Sequence, residues 1–200
     1  MAKANWVKVT PSSGSGNATI NVSSVAEHTG RTARTTILTW KAANVSNVER
    51  TISQAGKPEF VDIADAASSD KEGKIVTIEG VSNSAKLTFK LGTGELNLTL
   101  PSQYIANSIA TNNGSTISGD PGALQEYPFS ISFNVPANEG TTPLTRQIIV
   151  TDGAGHQDIC LLTLAAGNAY VTVQEGIIDL DYLGTPVNVS VQSNTSWTIE

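Results

Sequence analysis

Residues Ala18–Trp40 read ATINVSSVAEHTGRTARTTILTW. Apolar and polar residues alternate over Ala18–Ser23 and again over Thr35–Trp40, with a polar loop around Gly30 between them. Period two is the spacing of a strand with one packed face and one wet face. Far downstream, Phe129–Asp152 reads FSISFNVPANEGTTPLTRQIIVTD and repeats the layout: strand, polar loop, arginine, strand. Arg34 and Arg146 take one position and Ile37 and Ile149 another, and each copy runs through a turn into a strand closing at SQAG (Ser53–Gly56) or LAAG (Leu164–Gly167). A repeat of this length implies two copies of one supersecondary unit. A second match sets Val187–Ile199, VNVSVQSNTSWTI, beside Lys86–Leu98, KLTFKLGTGELNL.

The rest of the chain extends this pattern. Further strands are expected at Trp6–Thr10, Val48–Ser53, Phe60–Ala64, Ile75–Glu79, Lys86–Leu91, Leu96–Leu100, Phe129–Val135, Arg146–Thr151 and Ile159–Leu164. Others are expected at Tyr170–Val173, Gly176–Asp181, Val187–Val191 and Ser196–Ile199. Between them lie turn-forming stretches such as PSSGSGN, TDGAGHQD and LGTP, and no long helical period stands out. Short strands at this spacing predict antiparallel β-sandwiches.

Composition agrees and removes several function classes. The chain has 200 residues, 39% hydrophobic and only 15% charged, which suits a β-rich core. The net charge of −6, without a Lys/Arg cluster, argues against a nucleic-acid partner. No apolar run approaches the roughly 20 residues of a membrane helix, so no membrane partner is expected. The opening MAKANWVKV lacks the apolar run of a signal peptide, so synthesis in the cytoplasm is expected. Cys160, the single cysteine, rules out an internal disulfide and reads as a buried, unreactive residue in DICLLTL.

Candidate chemistry is sparse. His28 and His156 fall in comparable loops of different repeats, so they read as solvated loop residues. Asp62, Asp65 and Asp70 supply oxygens near one another, but a calcium loop needs them in one tight turn. Asp179 and Asp181 read as the wet face of a strand whose Ile178, Leu180 and Tyr182 point inward. No nucleophile elbow, HExxH, P-loop or EF-hand pattern occurs. No catalytic residue, metal or cofactor is expected.

The order SNTSW, then NWVKVTPSSGSGN, then an arginine-bearing strand, then a strand closing on ISQAG resembles the BACON domain, an immunoglobulin-like sandwich common in Bacteroidetes proteins. Trp6 followed by VTPSSGSGN, and the closing ISQAG, carry the resemblance. The internal copy lacks both tryptophans and holds an insertion at Pro101–Glu126, so it is a diverged copy. In that family the segment like VNVSVQSNTSWTIE precedes the segment like NWVKVTPSSGSGN; here the order is reversed.

The resemblance therefore implies an all-β chain of two sandwiches, the first completed by C-terminal strands. One comprises 1–57 with 175–200, and the other 58–174. Completion is open to three readings: within one chain, by strand exchange with a neighbouring copy, or by a unit outside this sequence. Trp6, Trp197, Val187, Val189, Val191 and Ile199 are the expected completion interface.

BACON-like sandwiches also occur in tailed phages of gut Bacteroidetes, the crAss-like group. The resemblance thus implies a non-enzymatic virion protein, a capsid decoration or head-fibre component whose partners are other capsid proteins and itself. The alternative is a carbohydrate-binding or spacer module at a bacterial cell surface. Trp40, Tyr104 and Tyr127 are then the candidate glycan or partner contacts, through ring faces that stack on sugars.

Overall fold

The computed structural model describes residues 3–174 and 176–200. Met1, Ala2 and Glu175, which open the two segments assigned above to the first sandwich, lie outside the described residues. The chain is all-β, with its strands in a sandwich-like arrangement, as the alternation predicts. No helix of the described residues is long and apolar enough to cross a membrane.

The core belongs to the central part of the chain. One sheet has the order β10-β9-β11-β7-β5, built from β5 (Val61–Ile63), β7 (Lys74–Ser82), β9 (Gln103–Ala106), β10 (Ile109–Asn112) and β11 (Tyr127–Val135). The facing sheet has the order β6-β13-β12-β8, from β6 (Ala66–Ser69), β8 (Thr88–Gly94), β12 (Leu144–Thr151) and β13 (Gln157–Leu164). β11 shows the alternation directly: Tyr127, Phe129, Ile131, Phe133 and Val135 are buried, while the residues between them face outward or are half-buried. They meet Ile148, Val150, Cys160, Leu162 and Leu164 of the opposite sheet. Phe89 packs edge-on against Phe129, ring centroids 5.7 Å apart, and tilted against Tyr104 at 4.9 Å, geometries that ring quadrupoles favour.

Gly80 explains how β11 and β7 lie so close. A Cβ there would run into the Phe129 ring and the Asp62 carbonyl, so no larger residue fits without a shift. Arg146 stitches a β-bulge in the second sheet. Its Nε donates to the Leu96 carbonyl (2.7 Å) and its Nη1 to the Gly92 carbonyl (3.1 Å). The repeated Arg34 stitches the N-terminal part in its own way, donating to Gln54 Oε1 at 3.0 and 2.8 Å with its guanidinium 4.6 Å from the Trp6 ring centroid.

The flanks are thinner. Among the described residues β1 (Val7–Thr10) pairs only with β2 (Asn21–Ser24), β3 (Arg34–Trp40) only with β4 (Val48–Gln54), and β14 (Val171–Val173) only with β15 (Val191–Ser193). Among the described residues, no C-terminal strand pairs with β1–β4, so completion within one chain is not seen; β15 finds its partner in β14 instead. The expected strands at Gly176–Asp181 and Ser196–Ile199 do not form, and β15 is shorter and later than Val187–Val191. Ile178, Leu180 and Tyr182, expected to point inward, are exposed, because among the described residues no second layer lies against them. Leu96–Leu100 is also not a strand, although Leu96 and Leu98 are buried.

Candidate functional site

The chain presents two kinds of surface worth weighing, uncovered strand faces at its ends and the joint that holds the N-terminal part to the central sandwich. The joint is polar. Arg31 sits in the loop between β2 and β3 and forms a two-pronged pair with Asp120 of the insertion, at 2.6 and 2.8 Å. The same guanidinium donates to the Asn83 carbonyl at 3.0 and 2.5 Å. The Arg31 guanidinium holds the Asp120 carboxyl below its usual range, chiefly through that hydrogen bond. Both side chains are mostly covered, and a fork-to-carboxylate geometry is the strong form of such a pair.

Beneath the joint, Asn83 closes the central sandwich. Its Oδ1 accepts from the Phe60 N–H (2.9 Å), and its Nδ2 donates to the Pro58 and Ala123 carbonyls (both 2.9 Å). Neighbouring Ser84 Oγ bonds the Glu59 carboxylate, donates to the Lys86 carbonyl and accepts from the Gly153 N–H. These buried polar groups are paired, so they fix geometry rather than wait for a substrate. Sequence reading passed over Asn83, because SNS looks like ordinary turn chemistry.

The sequence-predicted contact residues separate cleanly. Tyr104 and Tyr127 are buried on the inward faces of β9 and β11 and offer no ring face to a ligand. The Tyr127 hydroxyl donates to the Ser84 carbonyl at 2.7 Å, and burial pushes both phenols up to about 12. Trp40, at the end of β3, is 41% exposed. Trp6 is half-buried under Arg34, and Trp197, Val187 and Ile199 are exposed. Val189 and Val191 are half-buried. The expected completion residues thus lie in two places, Trp6 on the N-terminal part and the others on the C-terminal segment.

The remaining candidates have local partners. A His28 ring nitrogen lies 2.8 Å from the Thr32 carbonyl in the β2–β3 loop, and His156 Nδ1 lies 2.8 Å from buried Asp152 in the β12–β13 hairpin. The two loops are therefore not the counterparts that the sequence suggests. Asp181 accepts from the Thr185 N–H and hydroxyl, so it caps a turn rather than standing on a strand. Among the described residues no group of three or more His, Cys, Asp or Glu is placed to hold a metal ion. A shallow cavity of about 640 Å³ lies beside Asp62, Asp65 and Glu79, with the Gly80 backbone and Phe129 at its floor. Asp70 is not part of it and lies 3.5 Å from Lys74 Nζ instead.

Residues 1–55 match the family model described as "BACON: Putative binding domain, N-terminal". The matched span takes in Trp6 and all of ISQAG but its final Gly56, the segment that carries the resemblance in the sequence. No curated protein matches the chain. Among solved structures, an endo-fucoidan hydrolase from glycoside hydrolase family 107 aligns at 10% identity over 83% of this chain and 22% of that one, TM-score 0.29. The C-terminal domain of the Streptococcus agalactiae AgI/II polypeptide BspA aligns at 12% identity over 62% of this chain and 57% of that one, TM-score 0.28. The chain therefore spans less than two thirds of either structure.

Proposed function

We propose that this chain is a non-enzymatic structural protein of a phage virion, a capsid decoration or head-fibre component that works through immunoglobulin-like packing and strand pairing with its neighbours. The observation that carries the reading is the contrast within the fold: a tightly stitched sandwich between two ends whose apolar strand faces lie open. Val22, Ile37 and Val48 of β2–β4 at one end and Val171 and Val173 of β14 at the other are exposed. Open apolar faces of this kind mark surfaces that other protein covers. The placement on a virion draws on the family resemblance, with synthesis in the host cytoplasm and assembly onto capsids. Co-sedimentation of the purified chain with assembled capsids tests it; the reading fails if the protein stays in the supernatant at every ratio.

A second reading is favoured by the exposure of Trp40, beside Lys41 at the end of β3. It makes the chain a glycan-binding or spacer module of a bacterial surface protein. A glycan array compared with Trp40→Ala tests it, and binding that survives the substitution removes the tryptophan from the argument.

A further inference from the structure

The C-terminal segment repeats a set of local hydrogen bonds from the opening of the central sandwich. Gly184–Thr195, GTPVNVSVQSNT, aligns without a gap on Gly73–Ser84, GKIVTIEGVSNS, and not on Lys86–Leu98 as strand spacing alone suggests. Gly73 and Gly184 hold φ of +69° and +72°, and each donates its N–H to the carbonyl of an aspartate, Asp70 or Asp181, at 3.1 Å. Asn194 Oδ1 accepts from the Tyr170 N–H (3.0 Å) as Asn83 does from Phe60. Its Nδ2 donates to the Asn168 carbonyl (3.0 Å) as that of Asn83 does to Pro58. Ser193 Oγ donates to the Tyr170 carbonyl and accepts from Thr195 N–H, just as Ser82 serves Phe60 and Ser84. The strand registers agree too: Val171↔Ser193 and Val173↔Val191 reproduce Val61↔Ser82 and Ile63↔Gly80.

So β14–β15 is a copy of β5–β7, and β2 and β3 are copies of β11 and β12. In the central sandwich β11, β7 and β5 lie side by side in one sheet in that order, while β12 lies in the facing sheet. The two ends hold β2 and β14–β15, the copies of β11 and β5–β7, in two separate two-stranded ribbons, β1-β2 and β14-β15. Each half lacks what the other has. Burial shows the cost of separation: Ile63 and Val76 are 1% and 6% exposed, while their copies Val173 and Val187 are 51% and 48% exposed. On the other half, Phe133 is 5% exposed and its copy Val22 is 37% exposed. Two-stranded ribbons are marginal in water, and a free edge beside an apolar face is a template for another strand.

We infer that the β14–β15 half of one chain docks on the β1–β2 half of a second copy, in the register of the central sandwich. This rests on the reading of the chain as an assembly protein and names its partner. The central pairs Phe129↔Gly80, Ile131↔Ile78 and Phe133↔Val76 become Ala18↔Val191, Ile20↔Val189 and Val22↔Val187 between copies. Trp197 and Ile199 follow the docked strand toward the free edge of β3, where β8 lies along β12 in the central unit. The contact is head-to-tail rather than two-fold, so it propagates into chains or closes as a ring.

Directly opposed strand residues bring their Cβ atoms within disulfide reach. The test mixes full-length Ile20→Cys with full-length Val189→Cys under mild oxidation, with Cys160 left in place. A covalent dimer in the mixture, far more abundant than in either variant alone, is the expected result. The double variant should give a ladder on a non-reducing gel, and light scattering should show mass rising with concentration. Asn21→Cys mixed with Val189→Cys, one register off, should crosslink at least tenfold less. A monomeric mass at all concentrations, equal crosslinking out of register, or a double variant that closes only on itself overturns the inference. Ladders from a protein that ignores capsids leave the exchange standing and remove the virion reading; capsid binding by a strict monomer does the reverse.

Discussion

The central sandwich and the C-terminal hairpin carry the same latch, yet only one of them encloses a core. Asn83 and Asn194 share two hydrogen bonds, one to a backbone N–H and one to a carbonyl two residues before it. Their third partners differ, Ala123 and Glu139, and Asn83 is buried while Asn194 is only half-covered. The sheet of β7, which leads into Asn83, is faced by that of β8, β12 and β13; among the described residues β14–β15 stands as a two-stranded sheet of its own. Local chemistry therefore sets the turn, the latch and the strand register by itself. Burial needs the second layer, and the hydrophobic term follows area removed from water. The ends of the molecule are formed but not finished.

The hardest test of that contrast is a pair of core truncations at repeated positions. Phe133→Ala should cost about 3–5 kcal/mol, because it removes a packed ring and leaves a cavity. Val22→Ala, on a face without a cover, should cost less than about 1 kcal/mol in the monomer. Urea denaturation of dilute protein measures both, and equal costs would mean that the N-terminal half is already packed. Next in size comes the latch. Asn83→Ala leaves the Phe60 N–H and two carbonyls without their partner in a buried place, at about 1–3 kcal/mol. Asn194→Ala should lose at most about 1 kcal/mol, since water replaces the amide there.

These differences also explain what the sequence makes readable. The alternation in β11, β12 and β13 is plain because each strand has one packed and one wetter face. β6 escaped notice: AASS at Ala66–Ser69 has no β-branched residue, and it is a strand because it lies parallel beside β13. The hairpin β9–β10 escaped for a different reason. Its turn uses Asn107 and Ser108 at positive φ, without the glycine that usually marks such turns. Once that hairpin is missed, Tyr104 reads as a loop residue, although its ring is in the core. At the C-terminus the error ran the other way. Ile178, Leu180 and Tyr182 have a strand pattern, but a pattern commits residues to a face only where something lies against it. The Asn latch was invisible because its partners, Pro58 and Ala123, lie far away in the chain.

A smaller effect probes the joint between the N-terminal part and the central sandwich. Arg31 lowers the Asp120 carboxyl's affinity for protons in the folded state. A carboxyl depressed on folding adds stability that is complete above its unfolded value, near 4, and is lost as pH falls through its lower folded value. Asp120→Asn should therefore flatten the acid limb of the pH–stability curve while changing little at pH 7 beyond the loss of the pair itself. Thermal melts from pH 7 down to pH 2.5 read this out, and an unchanged acid limb would show that the joint opens freely in solution.

The mildest perturbation leaves the sequence alone. Cys160 lies on the inward face of β13 with no exposed surface, and burial pushes its thiol up to about 11. Thiolate is the reactive form, so at pH 8 the folded protein should react with a thiol reagent far more slowly than the denatured chain does. The label can enter only when the central sandwich opens, whereas exposure of the flanks should not matter to it. Assembly of the ends should then leave the labelling rate unchanged, while Phe133→Ala should raise it together with the population of the open state. Labelling that instead slows as the chains associate would tie the packing of the centre to the completion of the ends.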